Sequence, residues 1–262
     1  MSNFEISISD LFITGIMKKA NNYFKAFILI VLVQLSFNAI AKPKVLIFCK
    51  TAGFHHASIA VGIPAIIKLG QENNFDVDTT TNAEKFTVQN LKQYAAVIFL
   101  STTGDVLNDT QQDAFKTYIE AGGGFVGVHS ATDTEYQWSW YGDLVGAYFK
   151  NHPSKQQTAT LHVVDRNFIA TKHLPAEWKR LDEWYNFKEV DQLKKMHVLI
   201  TIDEKSYEGG NDGDYHPMSW YHDYDGGRAF YTALGHTDES YSDPLYLKHL
   251  LGGIQYAIGK HK

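Results

Sequence analysis

The stretch GGGFVGVHSATDTEY, residues 122–136, decides the fold. Its glycines are typical of a helix end, FVGVH is a short apolar run typical of a buried strand, and a tight polar turn follows. In many α/β enzymes a strand-to-helix turn of this kind carries a nucleophilic Ser or Cys between small residues. Here Gly127 precedes His129 and Ala131 follows it, so a histidine occupies the reactive position.

Further apolar strands precede this one, and helices separate them. A helix over residues 58–73 presents isoleucines on one face, and a second helix ends at the glycines of 122–124. Asp109 is its predicted N-cap, with Gln112 at the reciprocal capping position. Strands that alternate with helices indicate right-handed βαβ units and a parallel sheet covered on both faces. The three predicted strands before FVGVH are residues 44–49, 75–80 and 95–101.

The pattern changes after about residue 155, where strands follow one another with few helices between them. These strands are TATLHVVD, KMHVLITID, PMSWYHDY and RAFYTAL. A final helix begins at the cap Asp243, with Pro244 in its first position. The sequence therefore predicts a flavodoxin-like or class I glutamine amidotransferase-like α/β sandwich. Its sheet is mostly parallel, with an antiparallel extension in the C-terminal half.

The N-terminus has the pattern of a secretory signal. Residues 17–41 read MKKANNYFKAFILIVLVQLSFNAIA, with a basic start, an apolar run and an A-x-A site. We interpret residues 1–41 as an over-called start followed by a signal peptide, with the true start at Met17 and cleavage after Ala41. An uncleaved membrane anchor is the alternative, although the apolar run is short for a span of about 20 residues. Residues 42–262 then form a single domain.

Charge and cysteine content narrow the class of protein. The formal net charge is −5 and no basic block is present, which argues against a nucleic-acid partner. Cys49 is the only cysteine, so no internal disulfide can form. Export without disulfides fits a bacterial periplasm, with secretion as the alternative. No stable membrane insertion is expected after cleavage, and the sequence predicts no oligomeric state.

Histidines recur in the loops that should meet at one edge of the sheet. In open parallel sheets, ligands bind beyond the carboxyl ends of the strands. The loops KTAGFHHAS, STTGD, HSATDTEY and GHTDESY all fall at that edge, which we call the rim. Polar loops often contain histidine without a site, but here the histidines come from separate segments. They are His55, His56, His129 and His236.

An imidazole at the turn can act as an acid, a base or a metal ligand near neutral pH. We predict catalytic roles for His129, His236 and Glu183. The same His129 and His236 are the predicted metal ligands, with His55 or His56 as a third imidazole and Glu183, Asp133 or Glu135 as a carboxylate. Such a set suits a divalent metal such as zinc. No short-spacing zinc signature is present. A nucleophilic Ser130, exposed on the same turn, is the alternative.

Three long motifs carry a family resemblance. GGGFVGVHSATDTEYQWSWYGDLVGAYFKNHP, DEWYNF and HPMSWYHDYDGGRAFYTALGHTDESY resemble the motifs of the ThuA-like (trehalose utilisation) family, whose fold is similar to class I glutamine amidotransferases. The resemblance implies a role in sugar metabolism, on trehalose, another glycoside or a keto-sugar. Amidotransferases have Cys where this chain has His129, so glutamine hydrolysis through a thioester is not expected. A hydrolase- or lyase-type carbohydrate enzyme is expected instead, with a non-catalytic carbohydrate-binding domain as the alternative.

Aromatic residues near the rim suit the apolar faces of a sugar, although they could equally fill the core. His216 and His222 would lie roughly 20 Å apart on a continuous strand, so at most one of them belongs to the site. His152 could approach the rim or be structural. The predicted substrate-binding residues are His55, His56, Asp133, Glu135, Trp140, Tyr141, Trp184 and His222.

Overall fold

A computed structural model describes residues 42–260, together with Met17, Lys19 and Tyr23. The predicted signal peptide otherwise lies outside the described residues. Within them, nine strands form one sheet in the order β2-β1-β3-β4-β11-β10-β9-β6-β7. The first five strands in this order run parallel to one another, which confirms the predicted parallel sheet. They are β1 (Lys44–Phe48), β2 (Asp76–Thr80), β3 (Ala96–Leu100), β4 (Gly124–Val128) and β11 (Gly227–Thr232).

The remaining strands pair antiparallel, which confirms the predicted extension. RAFYTAL becomes β11, which is parallel to β4 and antiparallel to β10, so it joins the two halves. Strands β5 (Tyr148–Asn151) and β8 (Asn186–Lys188) pair in a small separate sheet that the sequence did not predict. The antiparallel strands of the main sheet are β6 (Gln157–Val163), β7 (Glu177–Asp182), β9 (His197–Ile202) and β10 (Pro217–Tyr224).

Helices cover the parallel strands, and their ends follow capping rules. Helix α3 begins one residue earlier than predicted, because Asn108 has an extended backbone and forms a reciprocal capping box with Gln111. The predicted cap at Asp109 is therefore wrong by one position. Asp243 caps α5 with Pro244 in the first turn, as predicted. The helices are α1 (Ile59–Asn73), α2 (Val88–Leu91), α3 (Asp109–Glu120), α4 (Ser139–Val145) and α5 (Pro244–Ala257).

None of the helices in the described part of the chain is long and apolar enough to cross a membrane. The core lies between the helices and the sheet, where β1, β3 and β4 are buried almost completely. The parallel strands therefore read as continuous apolar runs, as expected for a sheet covered on both faces.

The edge strand β7 returns to the end of β11, although three strands separate them in the sheet. The Asp182 carboxylate accepts hydrogen bonds from the backbone N–H groups of Gly235 and His236, each at 3.1 Å. Arg180, also on β7, binds Asp182 at 3.0 Å and donates to Ser240 beyond β11. The sheet is therefore curled enough to bring Glu183, the residue after β7, to the rim.

Candidate metal and acid-base site

Among the described residues, four ligand-bearing side chains gather at the rim: His56, His129, Glu183 and His236. One nitrogen or oxygen from each lies within 4.8 Å of the others. The His129 Nε2 atom is at the centre, at 3.2 Å from His56 Nε2, 3.1 Å from His236 Nδ1 and 3.4 Å from Glu183 Oε2. We call these four residues the rim cluster.

The turn after β4 places His129 in the rim cluster. His129 has a left-handed backbone (φ 50°), which is uncommon outside glycine but several-fold enriched in histidine. The turn is tight, because a Cβ on Gly127 would lie 2.9 Å from the Tyr231 ring. His129 Nδ1 lies 2.9 Å from the Ala233 carbonyl, which can only accept, so Nδ1 carries a proton. In the neutral ring, Nε2 is then the free lone pair facing the cluster.

Loops from both ends of the chain bring the other two imidazoles. His56 lies just before α1, and its Nδ1 is 3.3 Å from the Ser130 hydroxyl. Ser58 donates to the Gly235 carbonyl at 3.1 Å, which ties the His56 loop to the His236 loop. Ser130 is fully buried rather than exposed as predicted, so it orients His56 and does not present a nucleophile to solvent.

Glu183 lies between the rim cluster and the partly exposed His152. Its backbone N–H donates to Asp182 at 3.0 Å, and one carboxylate oxygen lies 3.1 Å from His236 Nδ1. The other oxygen is 3.3 Å from His152 Nδ1. The His152 side chain is 39% exposed, whereas that of His129 is fully buried. The same His152 Nδ1 atom lies 2.7 Å from the Pro153 carbonyl, so the partly exposed His152 ring is held between Pro153 and Glu183 at the solvent side of the rim cluster.

Two members of the rim cluster, His56 and Glu183, favour the protonation states that metal ligands require. Burial lowers the pKa of His56 to about 2, and the neighbouring His129 and His236 add to this effect. Burial alone would raise the pKa of Glu183, but hydrogen bonds and charge from His129 and His236 outweigh it and leave that pKa below its ordinary value. Metal ligation needs neutral imidazoles and ionised carboxylates. At neutral pH His56 and Glu183 are already in those forms.

The pKa of His236 is shifted in the opposite direction to that of His56. Burial lowers its pKa, but the hydrogen bond and charge of Glu183 outweigh burial, so the pKa of His236 is raised above its ordinary value. His236 therefore holds a proton to higher pH than an ordinary histidine when no cation competes for the site. This is the behaviour expected of a group that can donate and accept protons near neutral pH.

Several spacings between the ligand atoms are close to the edge of a tetrahedron around a metal ion. Zinc binds nitrogen and oxygen ligands at about 2.0–2.2 Å, which sets them about 3.3–3.6 Å apart in a tetrahedron. Four of the six distances in the rim cluster lie at 3.1–3.4 Å: three start at His129 Nε2, and the fourth joins His236 Nδ1 to Glu183 Oε2. All four ligand atoms lie within 4.8 Å of one another, so these three imidazoles and one carboxylate are candidates to share one ion.

Several predicted substrate-binding residues lie outside the rim cluster. His55 is exposed and lies 3.2 Å from the Thr51 hydroxyl. Glu135 is buried and accepts from the backbone N–H groups of Val106 and Leu107, so it braces a loop. Asp133 accepts from Tyr136 and lies near His129. Burial raises the pKa of Asp133 despite these neighbours.

The predicted aromatic platforms are not at the rim surface. Tyr141 and Trp184 are fully buried, with the Tyr141 hydroxyl donating to Ala131 and the Trp184 indole to Gln157. As placed, neither ring can contact a ligand, because both fill the core beneath the rim. Trp140 is half-buried and donates to Asp225 in the turn before β11, which is the opposite end of that strand from His236.

His222 also lies away from the rim, which corrects its predicted binding role. It pairs with Ala229, three residues before the end of β11, and its Nε2 donates to the Leu144 carbonyl. The reason is that β10 runs antiparallel to β11, so later residues of β10 move away from the rim. His216 is buried between Glu204 at 2.7 Å and the Tyr185 carbonyl at 2.7 Å, and holds that loop.

Two residues that sequence reasoning did not select complete the surroundings of the rim cluster. Asp182 positions both Glu183 and His236 through backbone hydrogen bonds. Phe54 lies beside His56, with ring centroids 4.8 Å apart. The signal for Asp182 was its position directly before Glu183, but a lone acidic residue gives no indication that it is buried.

The comparisons with known proteins agree with this fold. The chain resembles a ThuA-like protein from Bacteroides uniformis, with 25% identity, a TM-score of 0.71 and coverage of 86% of this chain and 96% of that one. A ThuA-like protein from Parabacteroides merdae has 20% identity, a TM-score of 0.70 and coverage of 84% and 91%.

More distant similarity shows the fold alone. A β-galactosidase from Bacillus circulans has 11% identity and a TM-score of 0.51, and the match covers 85% of this chain but 31% of that enzyme. No curated protein sequence matches the chain. The model of the ThuA family, described as trehalose utilisation, matches residues 44–257. That match spans nearly all of the described domain, and the chain therefore belongs to the ThuA family.

Proposed function

We propose that this chain is an exported, metal-dependent enzyme of sugar metabolism. It binds a divalent ion such as zinc through the rim cluster and cleaves a glycoside or keto-sugar derivative by hydrolysis or elimination. The observation that carries the proposal is the convergence of four ligand atoms within 4.8 Å from four separate segments. Membership of the trehalose-utilisation family supports the sugar-related role.

The residues of the rim cluster have different roles in the proposed reaction. A divalent ion held by these residues would supply Lewis acidity, and if it kept one position open for water it would also lower the pKa of that water. His129 presents Nε2 because its Nδ1 proton is held by Ala233. Glu183 has one oxygen in the cluster and one against His152, so this pair can carry a proton between the site and solvent. Asp182 fixes the backbone positions of Glu183 and His236 by accepting a hydrogen bond from each of their N–H groups.

Other reaction classes have less support. Glutamine hydrolysis would need a thiol at the turn, but the only thiol is buried at the end of β1, where burial raises the pKa of Cys49. A carbohydrate-binding domain without catalysis would not need four convergent ligand atoms. The burial of Tyr141 and Trp184 also removes two of the aromatic platforms that the sequence suggested.

Metal content tests the proposal directly. The purified protein should hold about one divalent ion per chain, and EDTA should remove both the ion and turnover of a panel of glycosides that includes trehalose. Restoring zinc or manganese to the EDTA-treated protein should restore turnover, while circular dichroism checks that the apo protein stays folded. Turnover that persists after complete metal removal would contradict metal dependence.

We also propose that the chain acts in the periplasm or outside the cell. The support is the signal pattern of residues 17–41, with a mature domain beginning at Lys42. N-terminal sequencing of the protein recovered from the periplasm of an expressing bacterium should begin at or near Lys42. A protein that stays in the membrane fraction with residues 26–35 intact would instead indicate an uncleaved anchor.

A further inference from the structure

Phe54 is a large apolar side chain left in solvent beside the rim cluster. Its side chain is 66% exposed, and its ring meets that of His56 edge-on with centroids 4.8 Å apart. His56 itself is buried, so Phe54 lies on the solvent side of the rim cluster. Single exposed apolar residues are common on protein surfaces, so its exposure alone implies nothing. Phe54 is singled out because it lies next to the convergent ligand atoms of the rim cluster.

The loop that presents Phe54 is held firmly. The Thr103 hydroxyl donates to the Phe54 carbonyl at 2.8 Å and accepts from the Gly53 N–H at 3.2 Å. The Ala52 N–H donates to the Thr103 carbonyl at 2.7 Å. These bonds fix the backbone on both sides of the ring. The backbone that carries Phe54 is therefore fixed, so little backbone ordering entropy is lost when a ligand covers the ring.

The rim cluster thus has two different groups on its exposed side. Phe54 offers a flat apolar face next to His56, and the partly exposed His152 ring, held by Pro153 and Glu183 through Nδ1, adds a polar group beside Glu183. A ligand that uses both must have an apolar face and hydrogen-bonding groups along its edge. A pyranose has this character, because its C–H groups form a face and its hydroxyls lie around it.

We propose that Phe54 is the stacking platform of a sugar-binding subsite, on which a pyranose ring rests while its reacting bond faces the rim cluster. The inference rests on the proposed function for its choice of ligand class. It also explains why the aromatic residues selected from sequence lie elsewhere: Phe54 takes the role predicted for Tyr141 and Trp184. Aromatic faces bind apolar groups without needing a polar partner of their own.

The test is calorimetric titration of the metal-loaded protein with trehalose and with a set of methyl glycopyranosides. Phe54→Ala should raise Kd for the best ligand at least about 10-fold, which corresponds to about 1.4 kcal/mol. Phe54→Trp should keep Kd within about threefold of the wild type. Val88→Ala is the matched control, since Val88 is 52% exposed at the start of α2 and should leave Kd unchanged.

Two outcomes would overturn the inference: unchanged Kd in Phe54→Ala, or no binding of any of these glycosides by the metal-loaded wild type. Metal content measured on the same preparations separates this inference from the proposed function. A wild-type protein that lacks metal yet binds a glycoside in a Phe54-dependent way would refute the metal site and retain the platform. Normal metal content together with glycoside binding that does not depend on Phe54 would retain the metal site and refute the platform.

Discussion

Replacing His129 with alanine should remove the metal ion and at least about 100-fold of the activity. His129 Nε2 lies within 3.4 Å of the other three ligand atoms, so its loss opens the centre of the rim cluster. Residues that merely orient metal ligands already cost about 10–100-fold in affinity or activity when mutated. Loss of a direct ligand should cost more. The measurements are metal content by mass spectrometry and turnover of the best glycoside.

His197→Ala is the matched control for His129→Ala. His197 is an exposed histidine on β9 whose ring stacks on Tyr221, away from the rim cluster. Its replacement should leave metal content and turnover near wild-type values. If His129→Ala keeps full metal occupancy and an unchanged rate, the central role of His129 is refuted.

Asp182→Ala should destabilise the domain by about 3 kcal/mol, because the buried Arg180 guanidinium loses its 3.0 Å carboxylate partner and keeps a longer contact with Asp243 at 3.6 Å. The Asp182 carboxylate also accepts three backbone N–H groups, from Glu183, Gly235 and His236. Urea denaturation of the metal-free protein measures the effect on folding. In a variant that still folds, metal affinity should fall as well, since Glu183 and His236 lose their common support.

Two further variants show whether the Asp182 effect is specific. Asp182→Asn keeps one acceptor oxygen and should fall between wild type and Asp182→Ala. Glu72→Ala removes an exposed carboxylate paired with Lys68 on α1 and should change the free energy of unfolding by less than about 1 kcal/mol. An Asp182→Ala protein as stable as the Glu72→Ala protein would show that the buried pair contributes nothing net.

The parallel half of the fold could be predicted because its strands are buried on both faces. The runs at residues 44–49 and 95–101 are almost wholly apolar, and no competing pattern fits them. Strand β7 was missed because its pattern is misleading. Trp178, Arg180 and Asp182 face inward while Leu181 is 47% exposed, so the buried face carries an ion pair. Sequence hydropathy does not predict that arrangement.

Sequence could select the members of the rim cluster but not exclude their neighbours. His129 and His236 follow strands that end at the rim, and Glu183 was chosen from the DEWYNF motif. Adjacent residues then diverge: His56 is buried in the rim cluster, whereas His55 points to solvent. Trp184 follows Glu183 and is fully buried. The turn geometry that separates such neighbours depends on tertiary contacts, which periodicity does not contain.

The origin of the ligands in distant parts of the sequence has a thermodynamic consequence. His56 and His129 are 73 residues apart, and His129 and His236 are 107 apart. No single βα unit spans such distances, so the site exists only when both ends of the curled sheet are assembled. Binding free energy at such a site is added to the stability of the whole domain, since the unfolded chain offers no equivalent set of ligands. For any ion bound there, occupancy and global folding would be linked, and lifting β7 from the end of β11 would release it.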